Sequence, residues 1–345
     1  MKSRLLTGNE LEQMTAAADI QALIAALAHT PYGPAVEKAL VRTGGIESVT
    51  LALRRDLERT VSGIQSYFTG GAAETVAIVL GNYDVANLKA ILRGLVHGHP
   101  TGEIIGALVP LGTMGHDFLV ELSRAPDVRA AIDVLASARS PLAKPLLQLR
   151  AARPSLTIVE MELSLDRWYY AQALDRAQRE NGANGTLVQA LQLDVDLINI
   201  ITVLRLVHTP GERRRLQESP DADDVTRLFL PGGLLSPQTL QRAADQTTVA
   251  AAIDALEATR YGPPLVGGLP LYERASRLSA FEEQLHTYYL RWRARQIIRD
   301  PLGPGVLLGY LSLKQNEVRN LRWIAGGIYM GMDPVAIQEE LVFAP

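Results

Sequence analysis

The chain has 345 residues, 47% of them hydrophobic and 21% charged, which is ample material for packed cores and excludes general disorder. Its 34 basic and 37 acidic residues leave a net charge of −3, which argues against a nucleic-acid binder relying on bulk positive charge. There is no cysteine, so disulfides, thiol catalysis, iron–sulfur clusters and Cys-ligated zinc are all excluded.

The first ten residues, Met1 to Glu10, reach an acidic residue too early for a signal peptide. The strongest apolar stretch, Leu197 to Leu204, is cut by Arg205, and no window approaches the ~18–20 apolar residues of a membrane span. A soluble chain is therefore expected, cytoplasmic by default, with any membrane connection made through a partner.

In chain order, the dominant hydrophobic period is helical. Leu88, Ile91, Leu92 and Leu95 make one amphipathic stripe. Leu156 to Val159 alone could be a short strand, but the continuation through Met161, Leu165, Trp168 and Tyr169 predicts a helix. A second stripe is Leu197, Ile200, Ile201 and Leu204. From about Pro270 to Arg299 a long helix is predicted, carrying Leu278, Phe281, Leu285, Tyr288, Tyr289 and Trp292. Val318, Leu321, Ala325 and Ile328 close the series. Clusters such as Pro31-Tyr-Gly-Pro34, Gly70-Gly71, Pro231-Gly-Gly233 and Tyr261-Gly-Pro-Pro264 supply turns. The predicted class is all-α. Gly94, Gly326 and Gly327, inside helical patterns, are expected to permit close helix approach.

The sequence also repeats itself. Asp84-Val-Ala-Asn87-Leu88 followed by Leu92-Arg93 recurs 112 residues later as Asp196-Leu-Ile-Asn199-Ile200 followed by Leu204-Arg205. A third copy, Glu317-Val-Arg-Asn320-Leu321, lies 121 residues further on. Each places an acid and an Asn three apart, read as the start of an apolar helix and as packing chemistry. Ile24-Ala-Ala-Leu27 before Tyr32-Gly-Pro34 likewise matches Ile253-Asp-Ala-Leu256 before Tyr261-Gly-Pro263. The middle copy, Ile132-Asp-Val-Leu135 before Ser140-Pro141, has lost the Tyr-Gly-Pro element. Three homologous helical domains follow, over residues 1–99, 100–219 and 220–345.

Catalytic signals are sparse. His97-Gly-His99 is the only close histidine pair and reads as a solvated helix end. Asp194 and Asp196 project about 200° apart on a helix, so they cannot converge on one Mg²⁺ without partners. Asp221-Ala-Asp-Asp224 reads as the acidic start of a helix. Neither a phosphate-binding P-loop nor a Gly-x-Ser-x-Gly elbow is present. Arg213-Arg-Arg215 reads as a solvated connector. Arg291, Arg295 and Arg299 form a basic stripe, either a solvated face or a docking edge for an acidic partner. A generic all-α interaction scaffold and an all-α Mg²⁺-dependent enzyme using the Asp clusters are the competing readings.

Asp300-Pro-Leu-Gly-Pro-Gly305-Val-Leu-Leu-Gly-Tyr310-Leu, Glu317-Val-Arg-Asn-Leu-Arg322, the ending Gln338-Glu-Glu-Leu-Val342, and Asn82 to Leu92 together resemble the C subunit of the archaeal and bacterial V/A-type ATPases, the counterpart of the eukaryotic d subunit. The resemblance covers essentially the whole chain and implies three similar domains in a pseudo-threefold, funnel-like arrangement. It implies a non-catalytic, cofactor-free rotor subunit on the cytoplasmic end of the membrane proteolipid ring. There it would receive the central-stalk D–F shaft and carry torque, peripheral to the membrane, with the isolated chain a monomer. Tyr32 and Tyr261, read as loop tips, are expected to touch ring or shaft. One departure is the short start, Lys2-Ser-Arg-Leu-Leu6, where the family has a longer helix, so a shortened first domain is expected.

Overall fold

The computed structural model describes residues 5–109, 111–153, 156–182, 185–209, 211 and 225–343. No strand occurs among the described residues. The opening helices are α1 (Gly8–Thr15), α2 (Ile20–Ala28), α3 (Gly33–Leu40), α4 (Gly45–Tyr67), α5 (Gly71–His97) and α6 (Thr101–Ala107). Then come α7 (His116–Ser123), α8 (Val128–Ser137), α9 (Ala143–Ala152), α10 (Ile158–Asn181) and α11 (Thr186–His208). A 3₁₀ turn (Val225–Leu228) precedes α12 (Pro237–Ala244), α13 (Val249–Leu256), α14 (Gly262–Ala275), α15 (Ser279–Arg299), α16 (Pro304–Tyr329) and α17 (Pro334–Glu339).

The same succession, three short helices and then two long ones, occurs three times. Its caps recur with it: Asp19, Asp127 and Thr248 precede α2, α8 and α13, each accepting from the backbone N–H three residues on, at 2.8, 2.8 and 3.2 Å. Thr157 starts α10 with a reciprocal capping box to Glu160, so Leu156 to Val159 enters a helix rather than a strand. The stretch predicted as one helix from Pro270 to Arg299 is two. Pro270 lies inside α14, and the chain breaks at Ser276, whose φ of 51° is left-handed. The separate start of α15 re-aims the aromatic stripe that follows.

By contact density the chain groups into two compact units, residues 1–76 with 290–345, and residues 77–289. In the first, α16 packs on α4, α1, α2 and α17, while α3 lies along α4. In the second, α10 packs on α11 and α9, and α11 on α12 and α13. Leu88, Ile91 and Leu92 are wholly buried, as are Ile200, Val203 and Leu204. Burying each such side chain contributes about 1.5–3 kcal/mol, the term that holds these helices in place.

Two helices are long and apolar enough to cross a membrane by length and composition, α5 and α11, contrary to the expectation that no stretch approaches that length. More than half of the most apolar window in each, 56% and 61%, is buried inside the protein, so both serve as core helices here.

Close helix approach does occur at Gly94 and Gly327. A Cβ on either would lie 2.5 or 2.7 Å from Ile104 or Ile337, ten residues downstream in both cases. Gly326 is different: nothing would lie within 4 Å of its Cβ, so that glycine serves no such contact. Both Gly94 and Gly327 precede a helix end of one design. Gly98 and Gly331 take φ of 67° and 68°, and the following N–H groups of His99 and Met332 return to the carbonyls of Gly94 and Gly327 at 2.9 Å.

Candidate functional site

The three acid–Asn pairs are the structural centre of the repeat, but they do not start helices. Each lies in the middle of a long helix (α5, α11 or α16), because those helices begin a dozen or so residues earlier than the pair suggested. An acid and an Asn at i and i+3 share one helix face. All six side chains are buried, so their polar atoms must be satisfied internally.

Each Asn makes the same two-point contact. Asn87 donates through Nδ2 to the Val109 carbonyl and accepts from the Val109 N–H, both at 2.8 Å. Asn199 does this with Leu230, at 2.9 and 2.7 Å, and Asn320 with Val342, at 2.9 and 3.2 Å. One amide thus pairs with one residue's backbone as a neighbouring strand would, and pins a non-helical segment to the middle of a helix.

The acids bind the backbone just before the next short helix. Asp84 accepts from the N–H groups of Thr113 and Met114 at 2.8 and 2.9 Å. Asp196 accepts from Leu234 and Leu235 at 3.1 and 3.0 Å. Glu317 accepts from the N–H of Leu6. Met114, Leu235 and Leu6 each immediately precede the N-cap of α7, α12 or α1. So the third acid joins the last repeat to the first. Two carboxylates need bare backbone beside them: a Cβ at Gly112 would lie 1.8 Å from Asp84 Oδ1, and one at Gly233 would lie 2.1 Å from Asp196 Oδ1.

A third donor completes each acid. Tyr261 gives its phenol to Asp196 at 2.7 Å, and Tyr32 gives its phenol to Glu317 at 2.6 Å. Both rings are 0% exposed, which corrects the expectation that Tyr32 and Tyr261 are loop tips offered to a partner. A buried phenol needs an acceptor, and the neighbouring repeat supplies it. In the middle copy Leu142 stands where the tyrosine would be, and Thr113 Oγ1 supplies the bond to Asp84 instead, at 2.7 Å.

These environments shift titrations. Burial raises the Asp196 carboxyl above the ordinary value, although the bonds from Leu235, Tyr261 and Leu234 pull it down. Burial, reinforced by Asp196, pushes the Tyr261 phenol up. Tyr32 is raised in the same way, by burial and then by Glu317.

The joint at Glu317 carries a feature that no local pattern announces. Lys314, 1% exposed, places Nζ 2.8 Å from Glu317 Oε1, 2.8 Å from Asp56 Oδ2 and 2.9 Å from the Tyr32 hydroxyl, 4.1 Å from the centre of that ring. Asp56 also accepts from Arg59. Buried Lys314 faces two buried carboxylates, and the exposed Arg59 supplies the second positive charge that balances them. A lysine three residues before Glu317 is visible in the sequence; its partner on α4 is not.

The Leu-Arg that follows the first two pairs has a use as well. Arg93 bonds Glu162, and Arg205 bonds Glu282 at 2.8 Å, each reaching from one long helix to another. Beside the first of these, Lys89 meets Asp166 at 2.7 Å, and burial raises that carboxyl while Lys89 lowers it.

The remaining candidates do not assemble. Asp196 is committed to its joint, so Asp194 and Asp196 form no shared ion site, and no group of three or more metal-ligating side chains occurs among the described residues. Asp221, Asp223, Asp224 and Arg213 to Arg215 lie outside the described residues. His99 pairs loosely with Glu103 at 3.3 Å on the surface. Arg291, Arg295 and Arg299 are all exposed on α15.

Mid-helix carboxylates and amides that hold the entry to the next helical group define an all-helical protein assembled through repeated hydrogen-bonded joints. The pattern of one family, described as ATP synthase (C/AC39) subunit, matches residues 1–340, and the chain belongs to that family. Similar proteins include the C subunit of the V-type ATP synthase of Deinococcus radiodurans, 25% identical over 99% of this chain and 88% of that one. The C subunit of the A-type ATP synthase of Haloferax volcanii is 27% identical over 87% of this chain and 83% of its own. Its A-type counterpart in Methanosarcina acetivorans is 28% identical over 90% of this chain and 81% of its own.

Proposed function

We propose that this chain is the non-catalytic central-stalk subunit of a V/A-type rotary ATPase or ATP synthase. In this reading it sits peripherally on the cytoplasmic face of the membrane, couples the D–F shaft to the proteolipid ring, and transmits torque for ATP-linked ion transport. Its three homologous domains, over residues 1–99, 100–219 and 220–345, take a pseudo-threefold, funnel-like arrangement. No cofactor is required for that task.

The observation that carries the reading, beside family membership, is the threefold recurrence of one joint: acid to pre-cap N–H, Asn to backbone, with the last acid returning to Leu6. A torque-bearing part needs stiffness between its domains, and bonds buried at mid-helix supply it, since a buried bond yields less readily than a surface one. Asp196, a candidate catalytic acid of the sequence, lies in a joint and is bonded to Leu234, Leu235 and Tyr261 there. Arg291, Arg295 and Arg299 are the docking edge for an acidic partner in this reading.

The test is recovery of the complex. A tagged chain should bring down both the proteolipid ring and the D–F pair in fixed proportion. Recovery of neither would return the chain to the class of generic helical scaffolds.

A further inference from the structure

A groove lies between α3 and α4, walled by Pro34, Ala35 and Val41 and lined by Lys38, Arg42, Arg55 and Arg59. Four cations and no carboxylate line it, in a chain whose net charge is −3, so the charge there does not follow from composition. A single cation at the end of α3 would complement the helix dipole; four exceed that need. Asp56, shared between Arg59 and Lys314, offsets part of the Arg59 charge, which leaves Lys38, Arg42 and Arg55 without a carboxylate in the lining. Glu58 is engaged by Arg54 at 3.0 Å, and Glu47 by Thr43 at 2.7 Å.

Two of the four cations are held in place. The Arg55 guanidinium donates to the Lys38 carbonyl at 3.3 Å, and Arg59 reaches the Pro31 carbonyl at 3.5 Å as well as Asp56. A tethered guanidinium keeps its remaining N–H groups in a fixed fork, which loses little entropy on meeting an anion. Arginine forks match the tetrahedral oxygens of a phosphoryl group, and their clustering in one concavity favours a compact, multiply charged anion over spaced peptide carboxylates. Val41 is 87% exposed at the rim, an apolar wall suited to the carbon side of a phosphate ester rather than to a bare ion.

We propose that this groove binds a phosphate ester, with Lys38, Arg42, Arg55 and Arg59 as its ligands. The same chemistry is offered by a soluble nucleotide and by the headgroup of an anionic phospholipid, and experiment separates the two. The full-length chain is titrated with ATP and with inorganic phosphate, and is sedimented with phosphatidylcholine vesicles with and without phosphatidylglycerol, at low and high ionic strength. Saturable binding to ATP or to the phosphatidylglycerol vesicles is expected, weakened by about tenfold or more in the Lys38→Glu/Arg42→Glu double variant. The Arg274→Glu/Arg277→Glu variant, at two exposed arginines outside the groove, should bind like the parent. Circular dichroism of both variants checks that the helices are intact, and Lys38→Gln/Arg42→Gln, which adds no negative charge, should show the same direction of loss. Binding to neither probe, equal loss in both double variants, or capture of an acidic peptide but of no phosphate ester would overturn the proposal.

Discussion

Tyr261 reaches Asp196 across a repeat boundary at 2.7 Å, and Tyr32 reaches Glu317 in the same manner at 2.6 Å, although the two acids sit on helices at different places in the chain. The acid is an Asp in one joint and a Glu in the other, one methylene longer. In the longer version a buried lysine is added to the contact. Each such joint therefore has separable parts, and each part has a measurable weight.

Removing an Asn leaves both backbone groups of its partner buried and unpaired. Asn199→Ala orphans the Leu230 N–H and carbonyl. Leaving each buried group unsatisfied costs roughly 1–3 kcal/mol, so a loss of about 2–6 kcal/mol is expected in chemical denaturation. Gln172→Ala, on the exposed side of α10, should be near neutral in the same assay.

Lys314→Met should be comparably severe. It leaves Asp56 and Glu317 facing each other across a buried site, with Arg59 alone to offset them. Uncompensated buried charge costs about 3–5 kcal/mol. Combining it with Glu317→Gln removes one of the two stranded charges, so the double variant should recover part of the loss; simple additivity in a double-mutant cycle would contradict this assignment.

Gly233→Ala tests the close approach directly. Its Cβ would overlap Asp196 Oδ1, so the carboxylate must leave its two backbone donors, at a cost of about 2 kcal/mol or more. Gly106→Ala, in α6 with nothing within 4 Å, should instead stabilise by up to about 1 kcal/mol. Thermal unfolding of the two variants side by side reads the contrast.

The tyrosines give a pH signature. Burial raises Tyr32, Tyr170 and Tyr261 above their unfolded value of ~10. A folded-state pKa above the unfolded one contributes stability that is full below ~10 and is lost as pH rises toward the folded value. Of the 11 tyrosines, these three should therefore stay protonated until the chain unfolds in alkali, visible as a delayed, cooperative step in phenolate absorbance. Asp196 is raised too, so its contribution is fullest below ~4 and is lost as pH climbs through its folded value.

The helical class and the threefold recurrence were legible because they are local: apolar period, caps and a pair at fixed spacing. The joints were less legible. The acid–Asn pairs look like helix starts, but Gly185 and Gly303 begin their helices without a side-chain cap, and only Pro304, at the first turn after Gly303, marks a true start. Tyr32 and Tyr261 sit beside Gly and Pro and read as exposed turns; only the fold brings a buried carboxylate to each phenol. Lys314 and Asp56 are far apart in sequence, and their pairing depends on how α16 packs on α4.

The most direct test of the central claim uses the chain's lack of cysteine. Single cysteines placed on this chain and on the D–F shaft are cross-linked within the assembled rotary complex. If the chain turns with the shaft, ATP-driven ion pumping should continue at nearly the uncross-linked rate. Arrest of pumping on cross-linking, with both partners still assembled, would contradict its place in the rotor.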